Sequence, residues 1–497
     1  MTRRFESEFA ESEFAESEFA KPEGSVFARQ IERQLDRREL FSRTAAGFAG
    51  IALGGLLHEQ LSAETSSSES KAARTHHRPQ ATAVIQLFQH GGPSHMDLLD
   101  PKPELNRRDG QPMPKYFTDL VKISAHGNLL GSPFKFQKAG TCGVEYSELL
   151  PHTAQCADDI AVIRSMHCEH NNHEQALWQI HTGRIVSGRP SIGSWASYAL
   201  GAETENLPAY VVLRNDSQLP VDGARNWSSG FLPPRYQGVH FRHTGTPVLY
   251  LQPTGAVSPR SQELRRELLQ ERNREYLSRT PRAAPELEAR IASYEMAGRM
   301  QMHASSALDL KEETQATLDA YGVGAAPTDS YARRCLIARR LVERGVRYIQ
   351  IFVESQIWDT HSKNAEGTRA CCAQTDKPTG ALLRDLKQRG LLDRTLVLWG
   401  GEFGRTPVSQ SGDGRDHHKQ GFSVWMAGGG VKGGQAYGAT DELGYHAVEN
   451  RTQIADWHAT ILHLLGLDHR RVTFHQHGRD ERLTDVYDAQ VLTRLLT

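Results

Sequence analysis

Short apolar runs alternate with longer amphipathic segments along the chain, a pattern typical of strands and helices in succession. Ala83–Phe88 is apolar apart from Gln86 and runs into the turn His90-Gly91-Gly92-Pro93. Further strands are predicted at residues 159–164, 209–213, 346–352, 395–399 and 422–426, and helices at 175–181, 331–344, 378–389 and 454–465. Because strands that alternate with helices form parallel sheets, the pattern predicts an α/β fold with a mostly parallel central sheet covered by helices on both faces.

The first eighty residues lack this pattern. Residues 6–20 repeat Glu-Ser-Glu-Phe-Ala three times, which predicts a disordered segment over residues 1–36, with a misassigned start codon as the alternative. Arg37 and Arg38 precede a short, Gly/Ala-rich apolar run, so residues 37–63 are predicted to be a twin-arginine export signal, with an amphipathic surface helix as the alternative. Residues 64–80 are predicted to be a linker, and residues 81–497 one domain with a helical insertion at about 258–325. Export by this route predicts a periplasmic or otherwise exported protein.

Composition and charge exclude several classes of protein. The 497 residues include 58 Lys and Arg against 59 Asp and Glu, a formal net charge of −1. Such a chain lacks the basic excess that nucleic-acid binding requires. It has no run of 18 or more apolar residues, so no integral membrane span is expected in the mature chain. Six cysteines without a Cys-x-x-Cys spacing argue against a disulfide scaffold or a thiolate zinc site.

Polar side chains of metal-ligand type lie next to four of the predicted strands. They are His90 and Ser94 after the first strand, Asp359 and His361 after 346–352, Glu402 and Arg405 after 395–399, and His417 and His418 before 422–426. Their clustering at strand ends predicts one shared site, because the chemistry of such sheets lies at the carboxyl ends of the strands. Carboxylates with imidazoles suit a divalent transition metal, foremost Zn²⁺ or Mn²⁺. Taken singly, each pair would be an ordinary surface contact. Asp97, which also follows the first strand, would then cap the turn that comes after it.

A further dense polar cluster spans residues 167–174 and precedes the helix predicted at 175–181. His173 would lie near the N-terminus of that helix, where free N–H groups and the helix dipole attract an anion. A capping segment with exposed histidines is the alternative interpretation.

Four longer motifs identify the chain as a member of the domain-of-unknown-function 1501 family. They are Leu87–Asp97, Asn226–Pro233, Gly400–Pro407 and Gly414–His418. The resemblance extends from the twin arginines to about residue 485. This family is in turn similar to the alkaline-phosphatase and sulfatase superfamily, whose members use metal ions to hydrolyse phosphate or sulfate esters.

The superfamily resemblance assigns roles to single residues. It implies metal ligands at His90, Asp359, His361, Glu402 and His417 or His418, and it places His173 where the superfamily has its nucleophile, nine residues before Thr182-Gly183. Three departures stand out: His90 replaces an Asp, Glu402-Phe403 replaces an Asp-His pair, and no Ser, Thr or Cys occupies the nucleophile position. These departures favour a shared fold over a shared mechanism.

The resemblance implies an exported, metal-dependent hydrolase of sulfate or phosphate esters, acting on a small anionic ester or on a sulfated or phosphorylated glycan. Arg405 is a candidate for bidentate binding of the anion, or else for a structural pair with a carboxylate. Ser94, His173 and a metal-activated water are the candidate attacking groups, and the water is preferred because the histidines indicate a reshaped metal centre. With water as the attacking group, His173 would be an extra metal ligand or an acid/base. The alternative, favoured by the missing nucleophile, is a non-catalytic member of the same fold that binds an anionic glycan or a partner protein.

Overall fold

The computed structural model describes residues 75–114, 127–215, 218–244, 258–279 and 306–497, together with residues 291, 295, 296 and 300. The predicted disordered segment, the predicted export signal, most of the predicted linker and much of the predicted helical insertion lie outside these residues. The last part of the predicted linker is described: the backbone N–H groups of His76 and Gln80 donate to the carbonyls of Gly466 and Leu464. Residues 75–80 therefore pack against the body of the protein.

A nine-stranded mixed sheet forms the centre of the protein. The strands of the described residues, in the central sheet and in four separate two-stranded sheets, are in chain order β1 Ala83–Phe88, β2 Phe136–Ala139, β3 Val144–Ser147, β4 Ile160–His167, β5 Tyr210–Leu213, β6 Val239–Phe241, β7 Tyr348–Phe352, β8 Thr395–Gly400, β9 Gly404–Gln410, β10 Gly414–His418, β11 Phe422–Ala427, β12 Gln435–Tyr437, β13 Ala439–Thr440, β14 Ala447–Glu449, β15 Thr452–Gln453, β16 Phe474–Gln476 and β17 Arg479–Glu481. The central order is β12-β4-β11-β8-β1-β7-β5-β6, with β15 also paired to β4. Only β11 runs antiparallel to its neighbours within this sheet, so the predicted mostly parallel sheet is confirmed.

The helices are α1 His95–Leu98, α2 Pro103–Arg107, α3 Pro151–Ala154, α4 His173–Thr182, α5 Ile192–Leu200, α6 Pro259–Arg279, α7 Gln315–Tyr321, α8 Asp329–Glu343, α9 Asn364–Gln388 and α10 Ile454–Leu464. Apolar residues of α8 and α9 form one buried cluster with one face of the sheet. Apolar residues of α4, α5 and α10 form a second cluster with the other face. Helices therefore cover both faces, as the sequence pattern predicts.

Strand β1 shows how the sequence specifies this arrangement. Its side chains alternate between the two clusters, with Ile85 and Leu87 in one and Val84 and Phe88 in the other, because successive residues of a strand point to opposite faces. The one polar residue in the strand, Gln86, accepts a hydrogen bond of 2.8 Å from the Tyr348 hydroxyl of β7. This bond satisfies a polar group that would otherwise be costly to bury.

The largest departure from the predicted elements is α9. The sequence predicts a helix over residues 378–389, because proline is common in the first turn of a helix. In the structure the helix begins at Asn364 and continues through Pro378 to Gln388. Its buried residues continue on the N-terminal side of the proline, at Thr368, Cys371 and Cys372, so the packed face extends past a residue that usually ends a helix.

Among the residues that the structure describes, no helix combines the length and the apolar character that crossing a membrane requires.

Candidate metal centre

The ends of three strands, one hairpin and one helix converge at one edge of the sheet. Strands β7, β1 and β8 are parallel neighbours, so the residues that follow them meet at their carboxyl ends. Asp359 follows β7, His90 follows β1 and Glu402 follows β8. The hairpin β9–β10 contributes His417, and the N-terminus of α4 contributes His173.

Asp359 lies at the middle of the cluster. Its Oδ1 is 3.0 Å from His361 Nε2 and 3.1 Å from His417 Nε2, and these two nitrogens are 2.9 Å apart. The Nδ1 of His417 donates to the backbone carbonyl of Asn171 at 2.8 Å, and the Nδ1 of His361 contacts the side-chain oxygen of Gln410. Because a carbonyl oxygen can only accept, both imidazoles carry their proton on Nδ1 when neutral. Their Nε2 lone pairs therefore face a carboxylate oxygen.

His173 and Glu402 form the second half of the cluster. His173 Nδ1 lies 2.6 Å from Glu402 Oε1, and His173 Nε2 lies 3.4 Å from Asp359 Oδ2. Glu402 is fully buried, and the backbone N–H of Gly91 donates to both of its oxygens, at 3.0 and 3.2 Å. Asn172 caps the helix, its side chain accepting from Glu174 N, and thereby fixes where His173 starts α4.

Gly91 is required at this position by its backbone. Its φ of +116° lies in the region that side chains disfavour, and a Cβ atom there would lie 2.6 Å from the backbone nitrogen of Asp359. The turn after β1 thus holds Glu402 through its N–H and lies directly against the Asp359 backbone.

Arg405 is buried beside the carboxylates and does not face solvent. Its Nη2 donates to Asp359 Oδ1 at 2.7 Å and also to the Gly91 carbonyl. Its Nε donates to the Gly92 carbonyl at 3.0 Å and its Nη1 to the Arg415 carbonyl at 3.2 Å. All three nitrogens of the guanidinium are engaged, so the geometry fits the structural pair with a carboxylate, the second of the two roles that the sequence leaves open.

Of the remaining predicted residues, His90 borders the cluster and His418 is turned away from it. His90 is buried, with Nε2 4.0 Å from Glu402 Oε1, and neither ring nitrogen makes a hydrogen bond of normal geometry to the described residues. His418 is buried and turned towards the carbonyl of Tyr445. Ser94 is buried and is the N-cap residue of the short helix α1.

The protonation of the cluster follows from burial and close charges. Burial alone would lower the pKa of His173, but interactions with Asp359 and Glu402 raise it to about 9. Burial opposes the ionised form of Asp359, yet His173, His417 and Arg405 hold the pKa of that carboxyl well below its usual range. Burial lowers the pKa of His90 and of His417, so both favour the neutral form that binds metals.

A buried ion pair supports the hairpin that carries His417. Arg415 Nε lies 2.8 Å from Asp97 Oδ2 and Arg415 Nη2 3.1 Å from Asp97 Oδ1, and neither side chain is exposed. Asn364 Nδ2 donates to the same carboxylate at 2.9 Å. Asp97 therefore links helix α1 to the hairpin β9–β10. The sequence offered a different role for it, as a cap of the turn after β1.

Several contributing residues were missed by sequence reasoning. Gly91, Gln410 and Asn171 act through backbone or side-chain contacts across the fold, and no local pattern identifies such contacts. Asp416 could have been found, because it stands beside His417 in the Gly414–His418 motif. The Oδ1 of Asp416 lies 3.8 Å from His361 Nδ1, and His361, His417 and Asp416 form a group close enough to hold an ion.

The donor atoms fit a divalent transition metal. Asp359, His417 and His173 offer ligand atoms within 4.8 Å of one another, and so do His90, His173 and Glu402. His173 Nε2 is buried and makes no hydrogen bond of normal geometry within the described part of the chain. One or two carboxylates with several imidazoles is a donor set that Zn²⁺ and Mn²⁺ accept.

The family model described as "Protein of unknown function (DUF1501)" matches residues 81–496. The chain belongs to this family. The match covers the whole of the predicted domain except Thr497, so the family assignment made from the four motifs is confirmed. No curated protein matches this DUF1501 chain.

Solved structures similar to this DUF1501 protein include a sulfatase, a phosphonate monoester hydrolase and an alkaline phosphatase. The PsFucS1 sulfatase from Pseudoalteromonas sp. is 13% identical, with 78% of this chain and 68% of that chain covered and a TM-score of 0.33. The phosphonate monoester hydrolase SpPMH from Silicibacter pomeroyi is 12% identical, with 70% and 72% covered and a TM-score of 0.32. A mutant of TAB5 alkaline phosphatase with bound Mg is 13% identical, with 70% and 92% covered and a TM-score of 0.31.

Proposed function

We propose that the protein is a metal-dependent hydrolase of sulfate or phosphate esters. The observation that carries this proposal is the convergence of three atoms of metal-ligand type, Asp359 Oδ1, His361 Nε2 and His417 Nε2, within 3.1 Å of one another. Lone pairs so close together repel unless a cation lies between them. The outer acceptors Asn171 and Gln410 hold both imidazoles in the tautomer that points these lone pairs inward.

The charges of the cluster support the same proposal. Asp359 and Glu402 are both held in the ionised form, and the buried guanidinium of Arg405 contacts Asp359. The carboxylates of Asp359 and Glu402 are balanced by Arg405 and by His173, whose pKa is raised to about 9, so a bound divalent ion would give the site the net positive charge that attracts an anionic ester. A divalent ion at this position would polarise the ester oxygen and bring the pKa of a water molecule to near 7.

The residues of this chain would then have distinct roles. Asp359, His361 and His417 would hold the ion, and Arg405 would fix the orientation of Asp359. Neither nitrogen of His173 is free to attack an ester, since one contacts Glu402 and the other faces Asp359. Water is the attacking group that we propose, because the cluster offers the ligands of a metal ion that would activate it.

A non-catalytic member of the same fold, binding an anionic glycan or a partner protein, is the second candidate. The observation that favours it is His173, which begins α4 where a nucleophilic hydroxyl or thiol would be expected. Both candidates use the same cation, so they differ in turnover and not in metal content.

Hydrolysis of aryl sulfates and aryl phosphates distinguishes the two candidates. The protein is stripped with a chelator, reloaded with Zn²⁺ or Mn²⁺, and assayed against both series. We expect cleavage of one series by the loaded protein alone, and a loss of bound metal as the pH falls through the lowered pKa of the ligand His417. Absence of cleavage with the site fully loaded would favour the binding protein.

We also propose that the protein is exported by the twin-arginine route. Arg37 and Arg38 ahead of the uncharged run at residues 45–57 support this proposal. Replacing both residues (Arg37→Lys with Arg38→Lys) is expected to leave the protein in the cytoplasm, whereas the control pair Arg29→Lys with Arg33→Lys should not affect export. Cell fractionation checks this, and normal export of the Arg37/Arg38 variant would contradict it.

A further inference from the structure

The two nitrogens of His173 face two carboxylates at clearly different distances. Nδ1 lies 2.6 Å from Glu402 Oε1, and Nε2 lies 3.4 Å from Asp359 Oδ2. Two ligands at about 2.0–2.2 Å from one ion are separated by roughly 2.8–3.1 Å when they lie at right angles and by roughly 3.3–3.6 Å at the tetrahedral angle. The separation on the Asp359 side therefore fits two ligands of one ion, whereas the separation on the Glu402 side is that of a strong hydrogen bond.

The oxygens of Glu402 already have partners. The Gly91 N–H donates to both of them, and the His173 Nδ1–H donates to Oε1. The side chain is fully buried, and such a carboxylate is well placed to fix the orientation of an imidazole. By contrast, His173 Nε2 is buried and makes no hydrogen bond of normal geometry within the described residues.

We propose that His173, and not Glu402, is a ligand of the metal, and that Glu402 is the positioning residue that holds His173. Asp359, His361 and His417 would then supply the other ligands. This inference rests on the metal centre of the proposed function. It differs from the ligand role that the superfamily resemblance implies for Glu402. A carboxylate that accepts the outer N–H of a metal-bound histidine fixes its tautomer and makes it a stronger ligand.

This arrangement assigns His173 a role other than that of a nucleophile. The position at the start of α4 carries an imidazole whose Nδ1 proton is held by Glu402, so that only Nε2 points towards Asp359. The substitution at this position thus adds a ligand to the centre, and the attacking group must come from elsewhere.

The test compares Glu402→Gln, His173→Ala and the control Glu354→Gln, with Co²⁺ as the metal. Glu354 is the control because it follows β7, just as Glu402 follows β8, but its partner is Arg334, at 3.3 Å. Binding stoichiometry and affinity are measured by competition with a chelator, and coordination by the visible absorption of bound Co²⁺. We expect Glu402→Gln to bind one Co²⁺ with an unchanged spectrum and an affinity lower by about 10–100-fold. His173→Ala should change the spectrum, and Glu354→Gln should match the wild type.

The outcomes separate this inference from the metal centre itself. A wild-type protein that binds no Co²⁺ overturns the metal centre. If the wild type binds Co²⁺, two results for Glu402→Gln overturn the role of Glu402 alone. One is a spectrum altered as by the loss of a ligand, and the other is an affinity for Co²⁺ equal to that of the wild type. If Glu402→Gln does not fold, Glu402→Asp retracts the carboxylate from His173, and the same results are expected.

Discussion

Asp359→Asn is expected to abolish metal binding and any hydrolysis that depends on it. The substitution keeps the size of the side chain and leaves an oxygen to accept from Arg405, but it removes the one charge that faces both His361 and His417. Affinity for the metal should fall by more than about 100-fold, beyond the loss that follows removal of an outer partner. The measurement is a chelator competition, with folding checked by circular dichroism.

Asp159→Asn is the matched control for this prediction. Asp159 pairs with Lys387 at 2.7 Å, and that lysine side chain is largely exposed, so its loss should affect neither metal binding nor turnover. Retention of wild-type metal affinity in Asp359→Asn would contradict the assignment of Asp359 as a ligand.

Arg415→Met is expected to lower the free energy of unfolding by about 3–5 kcal/mol, because it leaves the buried Asp97 carboxylate without its cation. Burial alone would raise the pKa of Asp97, but Arg415 holds it below the usual value. The pair therefore stabilises the wild type above the unfolded carboxyl pKa of about 3.9, and this contribution is lost as pH falls through the lower folded pKa. In the variant, burial without Arg415 raises the pKa of Asp97, so the difference between variant and wild type should shrink as pH falls first through that raised pKa and then below about 3.9.

Denaturant unfolding at several pH values measures this effect. Arg389→Met serves as a control, since Arg389 is partly exposed and its loss should cost less than about 1 kcal/mol. Adding Asp97→Asn to Arg415→Met should recover part of the stability by removing the unpaired charge. Equal destabilisation by Arg389→Met and Arg415→Met would contradict the account.

The sequence predicts the central sheet well, because its strands are short apolar runs that end in turns. The N-terminal half of α9 could not be predicted, since proline is common in the first turn of a helix. Only the packing of Cys371 and Cys372 shows that the helix begins before Pro378. Local signals thus identify the strands, whereas tertiary contacts decide where this helix begins.

The site shows the same division. That His90, Asp359, Glu402 and a histidine of the Gly414–His418 motif would meet follows from the parallel order of the strands. The choice between His417 and His418 depends on β10, in which adjacent side chains point to opposite faces. His417 turns to Asp359 and His418 to Tyr445, and no sequence pattern indicates which.

Anomalous diffraction from a crystal of the Zn²⁺-loaded protein is the measurement that tests the central claim most directly. We expect one peak at about 2.0–2.2 Å from an oxygen of Asp359 and from the Nε2 atoms of His361, His417 and His173. A peak bound elsewhere, or no peak near Asp359 at full loading, would contradict the metal centre and the function proposed from it.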